Sequence, residues 1–129
     1  RYCVDTNTND AFAVKVIDRK RIIDEGMEES LTNEITLMKM FNHRSVVAVK
    51  DMLVSPNRIF LVLDLMTDGN MRRKLSQERY LNEKDAIFYF KQFFAGVEYL
   101  HENGITHGNL RLENLLLHTN GNLRITDFR

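Results

Sequence analysis

The chain has 129 residues, and its 18 Lys and Arg balance 18 Asp and Glu to a formal net charge of zero, with a pI of about 7.1. That balance argues against the basic footprint of a nucleic-acid binder and against a polybasic membrane anchor. At 43% hydrophobic and 28% charged, with six Gly and one Pro, the composition is that of an ordinary globular domain rather than a disordered or fibrous chain.

The single cysteine, Cys3, allows no internal disulfide and is read as a small apolar packing residue in a reducing compartment. No apolar run approaches the roughly 20 residues of a membrane helix, and no charged start leads into an apolar stretch of signal-peptide type. The expected setting is therefore cytoplasmic and soluble. The chain begins at Arg1 without an initiator Met and ends at Arg129, so both ends read as cuts through a larger domain.

In chain order, residues 11–17 alternate with period two, Phe12, Val14 and Val16 on one face and Ala13, Lys15 and Ile17 on the other, which predicts a strand. Leu31, Glu34, Ile35, Met38 and Phe41 recur at helical spacing and predict a helix from about Glu28 to Phe41, with Glu28 and Glu29 favourable in its first turn. Asp24 and Glu25 before it read as a charged loop. Val46–Val54 and Ile59–Leu65 predict two strands joined by a turn at Ser55-Pro56-Asn57-Arg58, the second covered on both faces. Arg72-Arg73-Lys74 reads as the solvated face of a short helix. Asn82 caps a longer helix with the apolar stripe Ile87, Phe90, Phe94, Val97 and His101, and Gly104 stops it. Leu115–Leu117 and Leu123–Ile125 predict a hairpin, with Asn120-Gly121 favouring a type I′ turn. The order of elements gives an α+β fold.

A carboxylate on an apolar helix stripe costs several kcal/mol unless a cation meets it. Lys15, alone among apolar neighbours on its strand, is the expected partner of Glu34. Further along, Ile105-Thr106-His107-Gly108-Asn109-Leu110-Arg111-Leu112-Glu113-Asn114 resembles the catalytic loop of protein kinases, H-R-D-L-x-x-x-N. Asp127-Phe128-Arg129, thirteen residues after Asn114, is similar to the D-F-G motif, and Ala13-Val14-Lys15 to the V-A-I-K strand. Glu34 falls where the family's helix Glu belongs. Four motifs in order, each on the element the family puts it on, make a signal that covers essentially the whole chain.

The resemblance implies a partial two-lobed kinase fold, with residues 1–63 in the small lobe, 64–66 as the hinge and 67–129 opening the large lobe. By the same carry-over, Lys15 holds the α and β phosphates of ATP, braced by Glu34. Ala13 and Leu116 enclose the adenine, Leu63 is the gatekeeper, and Asp64 and Met66 are hinge contacts. Asn114 and Asp127 ligate Mg2+, and Arg111 is a phosphate-facing cation where the family has Lys. His107 resembles the family's packing histidine, stacked near Phe128. The likeness is closer to serine/threonine kinases, in particular those related to calmodulin-dependent and AMP-activated kinases.

Three positions depart from the pattern. Asn109 stands where the loop Asp positions the substrate hydroxyl and accepts its proton, and an amide has neither the basicity nor the charge. Gly108 replaces the Arg that meets a phosphorylated activation loop, and Arg129 replaces the motif's Gly. The Gly-rich phosphate loop and the activation segment are not within the 129 residues. The expectation is thus a pseudokinase-type binding module with weak binding of ATP and Mg2+, a protein partner, and no nucleic-acid or membrane partner. Its rivals are part of an active ATP-dependent serine/threonine kinase, in which Glu113 is the nearest spare carboxylate, and a truncated product without function that exposes apolar surface.

Overall fold

Alternating apolar residues that all need one covered face make Ala11–Asp18 a strand, and the sheet forms around it. The computed structural model describes residues 1–127. Within them the first unit, residues 1–41 and 48–65, holds a four-stranded antiparallel sheet in the order β1-β2-β4-β3. Its strands are β1 (Tyr2–Val4), β2 (Ala11–Asp18), β3 (Val49–Val54) and β4 (Arg58–Asp64). The expected strand from Val46 begins only at Val49, because Val46 makes a bridge to Ile125 in the second unit's own fold. Ser55 and Arg58 close the predicted turn, with Ser55 N–H donating to the Arg58 carbonyl at 2.8 Å. β4 is central, with a neighbour on each edge, yet only its Leu61 is fully buried, so the strand is not covered along both faces as its IFLVL run implied.

Asp18 ends β2 and caps α1 (Arg19–Asp24), its carboxylate accepting from the N–H groups of Lys20 and Arg21. This short helix takes the place of the first part of the expected charged loop, and an Arg21–Glu25 pair one turn apart (2.9 Å) supports it. α2 (Glu28–Met40) matches the predicted helix within a residue, and Ile35, Met38 and the following Phe41 are buried. Glu34 is only half-buried, so its desolvation penalty is smaller than a fully buried carboxylate would carry.

The second unit, residues 42–47 and from 66 onward, is built on α4 (Glu83–Glu102), capped by Asn82, whose side chain accepts from Asp85 N–H at 2.8 Å. α3 (Met71–Glu78) precedes it, with Asn70 as its cap. β5 (Leu115–Leu117) and β6 (Leu123–Ile125) form the expected hairpin. Its turn is not type I′, since that turn needs positive φ at both central residues and Gly121 (φ +90°) has it while Asn120 does not. Five residues, His118 to Asn122, make the connection, closed by His118 N–H on the Asn122 carbonyl at 2.9 Å.

The line of residues at helical spacing on α4 lies on its outward side: Ile87, Phe90 and Phe94 are 48%, 57% and 54% exposed. The inward line is Gln92, Gly96 and Leu100, spaced by four residues. Gln92 ties the hairpin to the helix, donating to the Gly121 carbonyl at 3.0 Å and accepting from Leu123 N–H at 2.8 Å. Gly96 permits the closest approach: a Cβ there would lie 2.8 Å from the Ser45 carbonyl oxygen and 2.9 Å from Ile125 Cδ1. Ser45 and Val47 in turn bracket Ile125, which donates to the Ser45 carbonyl at 2.8 Å and accepts from Val47 N–H at 2.9 Å.

Replacing Gly96→Ala should therefore cost about 1–3 kcal/mol, the range for overpacking against neighbours that include backbone. Denaturant unfolding followed by circular dichroism reads it, and a loss under 0.5 kcal/mol would contradict the close approach. A second expectation concerns His43, whose Nδ1 accepts from Ser45 N–H at 3.0 Å and whose ring stacks on Tyr99. Burial, then the Arg44 charge, hold its pKa below the ordinary imidazole value, with Glu102 opposing. The unfolded chain therefore binds the extra proton first, and stability falls as pH drops through the ordinary histidine range, from about 7 to below 6. His43→Gln should flatten that part of a stability–pH curve; an unchanged slope would remove His43 as the cause.

Candidate functional site

In the first unit, register sets the positions. Ala13 lies opposite Leu63, and Lys15 opposite Leu61, across β2 and β4. Lys15 is exposed at the middle of its strand and Glu34 is half-buried on α2; neither lacks a partner. Asp64 closes β4, and its carboxylate accepts from Ala48 N–H (3.3 Å) and pairs with Lys50 (3.3 Å). Those bonds fasten the start of β3, where the register shifts between Val49 and Asp51, so the side chain of this expected hinge residue has a structural task.

In the second unit, the segment after α4 carries a linked set of polar groups. His107 is 2% exposed. Its Nδ1 accepts from Asn109 N–H at 3.0 Å, which leaves the proton on Nε2, and Nε2 donates to the Thr126 carbonyl at 2.8 Å. The buried Asn114 side chain donates from Nδ2 to the Asn109 carbonyl at 2.8 Å. Asn114 N–H donates to the Arg111 carbonyl at 2.9 Å, closing a single 3-10 turn over Leu112–Asn114, and the Asn114 carbonyl accepts from Thr126 N–H at 3.0 Å. The loop and the strand end carrying Asp127 are thus joined through His107, Asn109 and Asn114.

Asn109, Asn114 and Asp127 come together in this way, and the Asn109 amide reaches Asp127 Oδ2 at 3.2 Å. Arg111 is exposed on the same loop, and Met66 and Leu116 are half-buried, Leu116 pairing with Arg124 across the hairpin. Gly108 has φ +75°, a left-handed conformation that glycine adopts freely. Glu113 is held by Arg72 at 3.0 Å. Of the cluster read as a solvated face, Arg72 is thus paired, and Lys74 bonds Glu78 at 2.6 Å, which raises the Lys74 pKa. Phe128 and Arg129, and with them the expected stacking of His107 and the replaced motif glycine, lie outside the described residues.

The donor set suits a hard divalent cation. Asp127 offers carboxylate oxygens, and Asn114 Oδ1 accepts no hydrogen bond among the described residues. No group of three or more His, Cys, Asp or Glu that could hold a metal occurs among the described residues. Two oxygens leave the rest of a Mg2+ shell to water and, where a nucleotide is bound, to its phosphates. What sequence reasoning missed is Thr126, whose backbone bonds on both sides fix Asp127, and the bonding role of His107. The signal for His107 was a lone histidine two residues before Asn109, between Ile105 and Leu110.

The model of the family described as "Protein kinase domain" matches residues 1–129. CBL-interacting protein kinase 8 of Oryza sativa subsp. japonica is 38% identical over 128 residues, which cover 99% of this chain and 29% of that protein. CBL-interacting serine/threonine-protein kinase 9 of Arabidopsis thaliana is 37% identical over the same shares. The chain spans under a third of the length of the curated relatives it matches. No described helix is long and apolar enough to cross a membrane. A match that runs from end to end, together with such relatives, places the chain in the protein kinase domain family, on its serine/threonine side.

Proposed function

We propose that the chain is the nucleotide-binding part of a serine/threonine kinase domain that has lost phosphate transfer and serves as a pseudokinase-type binding module. Protein kinases use ATP with Mg2+. Lys15 braced by Glu34 would hold the phosphates, Ala13, Leu63 and Leu116 the adenine, the 64–66 backbone its edge, and Asn114 with Asp127 the Mg2+. The ion supplies neutralisation of phosphate charge when bound. Residues 1–63 form the small lobe and 67–129 the start of the large lobe in this reading.

One observation carries it: the side chain at position 109 is a donor. A carboxylate only accepts hydrogen bonds, so the Asn109 group 3.2 Å from Asp127 Oδ2 is its NH2. An amide there takes no proton from an incoming hydroxyl and brings no charge to align it. The missing basicity corresponds to roughly 10²- to 10⁴-fold in rate. Glu113, the nearest alternative, is engaged by Arg72. The relatives' printed names favour the second reading, a working kinase, and the same experiment separates the two. The relatives are named as CBL-interacting, and on that likeness a protein partner is proposed for this chain also.

Thermal shift with millimolar Mg-ATP should show a small stabilisation that Lys15→Ala and Asp127→Ala remove; no shift, or one that both variants keep, overturns the nucleotide site. In a chain that joins these residues to a Gly-rich loop and a complete large lobe, radiolabelled phosphate transfer to a peptide should be negligible. Asn109→Asp should raise it. Gly108→Arg should add less than the family pattern suggests, because a side chain at φ +75° costs about 1–2 kcal/mol. Robust transfer by the unaltered sequence, abolished by Lys15→Ala, leaves the active-kinase reading standing.

A further inference from the structure

Asn109 and Asp127 meet side chain to side chain, Nδ2 to Oδ2, at 3.2 Å. The Asn109 backbone is held beside Asp127, its N–H donating to His107 Nδ1 and its carbonyl accepting from Asn114 Nδ2. Asp127 sits at φ +62°, a conformation a residue with a Cβ keeps when its surroundings fix it. One carboxylate oxygen of Asp127 therefore already accepts from a donor whose backbone the loop holds in place. A divalent cation that bound through Oδ2 would meet that donor, since a cation and an N–H donor repel at one lone pair.

We propose that Asn109 is a positioning residue that competes with the divalent cation for Asp127, its amide standing in for the ion in the metal-free protein. The inference rests on the reading of Asp127 as a metal ligand. It reverses the sign that a supporting role would give. If the amide only steadied Asp127, removing it would loosen the carboxylate and weaken cation binding; under competition, removing it tightens cation binding.

The test uses the whole chain and Mn2+ alone, without nucleotide, with free Mn2+ counted by electron paramagnetic resonance. Asn109→Ala, which deletes the donor without adding charge, should lower the apparent dissociation constant about three- to tenfold, the equivalent of one modest hydrogen bond. Asn109→Leu, close to asparagine in volume and without a donor, repeats the comparison if the alanine variant does not fold by circular dichroism. Asn109→Asp should bind tighter still. Adding Asp127→Asn to any of these should erase the gain. Should the donor-free variants bind Mn2+ no tighter than the unaltered chain while Asn109→Asp binds through Asp127, competition is wrong and the ligand reading survives. If Asn109→Asp gains nothing that Asp127→Asn removes, both are wrong.

Discussion

The backbone of the segment from Ile105 to Asn114 has no sheet or long helix to satisfy it, and the second unit depends on how that deficit is met. Side chains meet it. His107 takes the Asn109 N–H and gives to the Thr126 carbonyl, and Asn114 gives to the Asn109 carbonyl and receives Thr126 through its own backbone. A buried polar group left without a partner costs about 1–3 kcal/mol, so loss of the His107 side chain would strand two groups, the Asn109 N–H and the Thr126 carbonyl, and loss of the Asn114 side chain one, the Asn109 carbonyl. The network also joins the loop to the end of β6, which is what brings Asn109 within reach of Asp127. Position and satisfaction are here the same set of bonds.

A different constraint lies beneath. Ile125 on β6 is fully buried, and Ser45, Val46 and Val47 run beside it in parallel. α4 closes over this pair only because residue 96 has no side chain. Ser45 fits the remaining space, and its hydroxyl is buried with no hydrogen-bond partner among the described residues, a cost borne while Ser45's N–H and carbonyl are used. The loop network hangs from the strand that this packing holds. Gly96 thus acts on the candidate site at one remove, without touching it.

Much of the α+β arrangement was legible: the Lys15 strand, α2 to within a residue, the Asn82 cap and both strands of the hairpin each had a local signal strong enough to stand alone. The failures have physical causes. α4 is apolar on two sides, and periodicity cannot choose between them when the inward line is written as Gln92, Gly96 and Leu100, one polar, one without a side chain and one apolar. Val46 reads as strand by composition, but its pairing is with a residue 79 positions away in sequence, a distance local pattern does not register. The Asn120-Gly121 pair suggested a two-residue turn, whereas the strands pair in a register that leaves five residues between them. Of the candidate site, the sequence carries the residue types and their order. It does not carry the direction of the Asn109 hydrogen bond, which is fixed by which atom Asp127 can accept.

That direction shows how chemistry and fold come apart at one position. Nothing in the loop's architecture uses the side chain at 109: its N–H and carbonyl do the holding, and any residue supplies those. A carboxylate in the same place would face Asp127 across a short gap, and two like charges 4 Å apart repel by about 4 kcal/mol at an effective dielectric of 20, less as water screens them. A cation between such a pair would relieve that repulsion. An amide needs none, because it answers the carboxylate with a donor. With an amide at 109 that repulsion is absent, and the loop keeps its shape with less reliance on an ion. The side chain at 109 thus bears on the charge balance at Asp127, while the loop's shape rests on its backbone bonds.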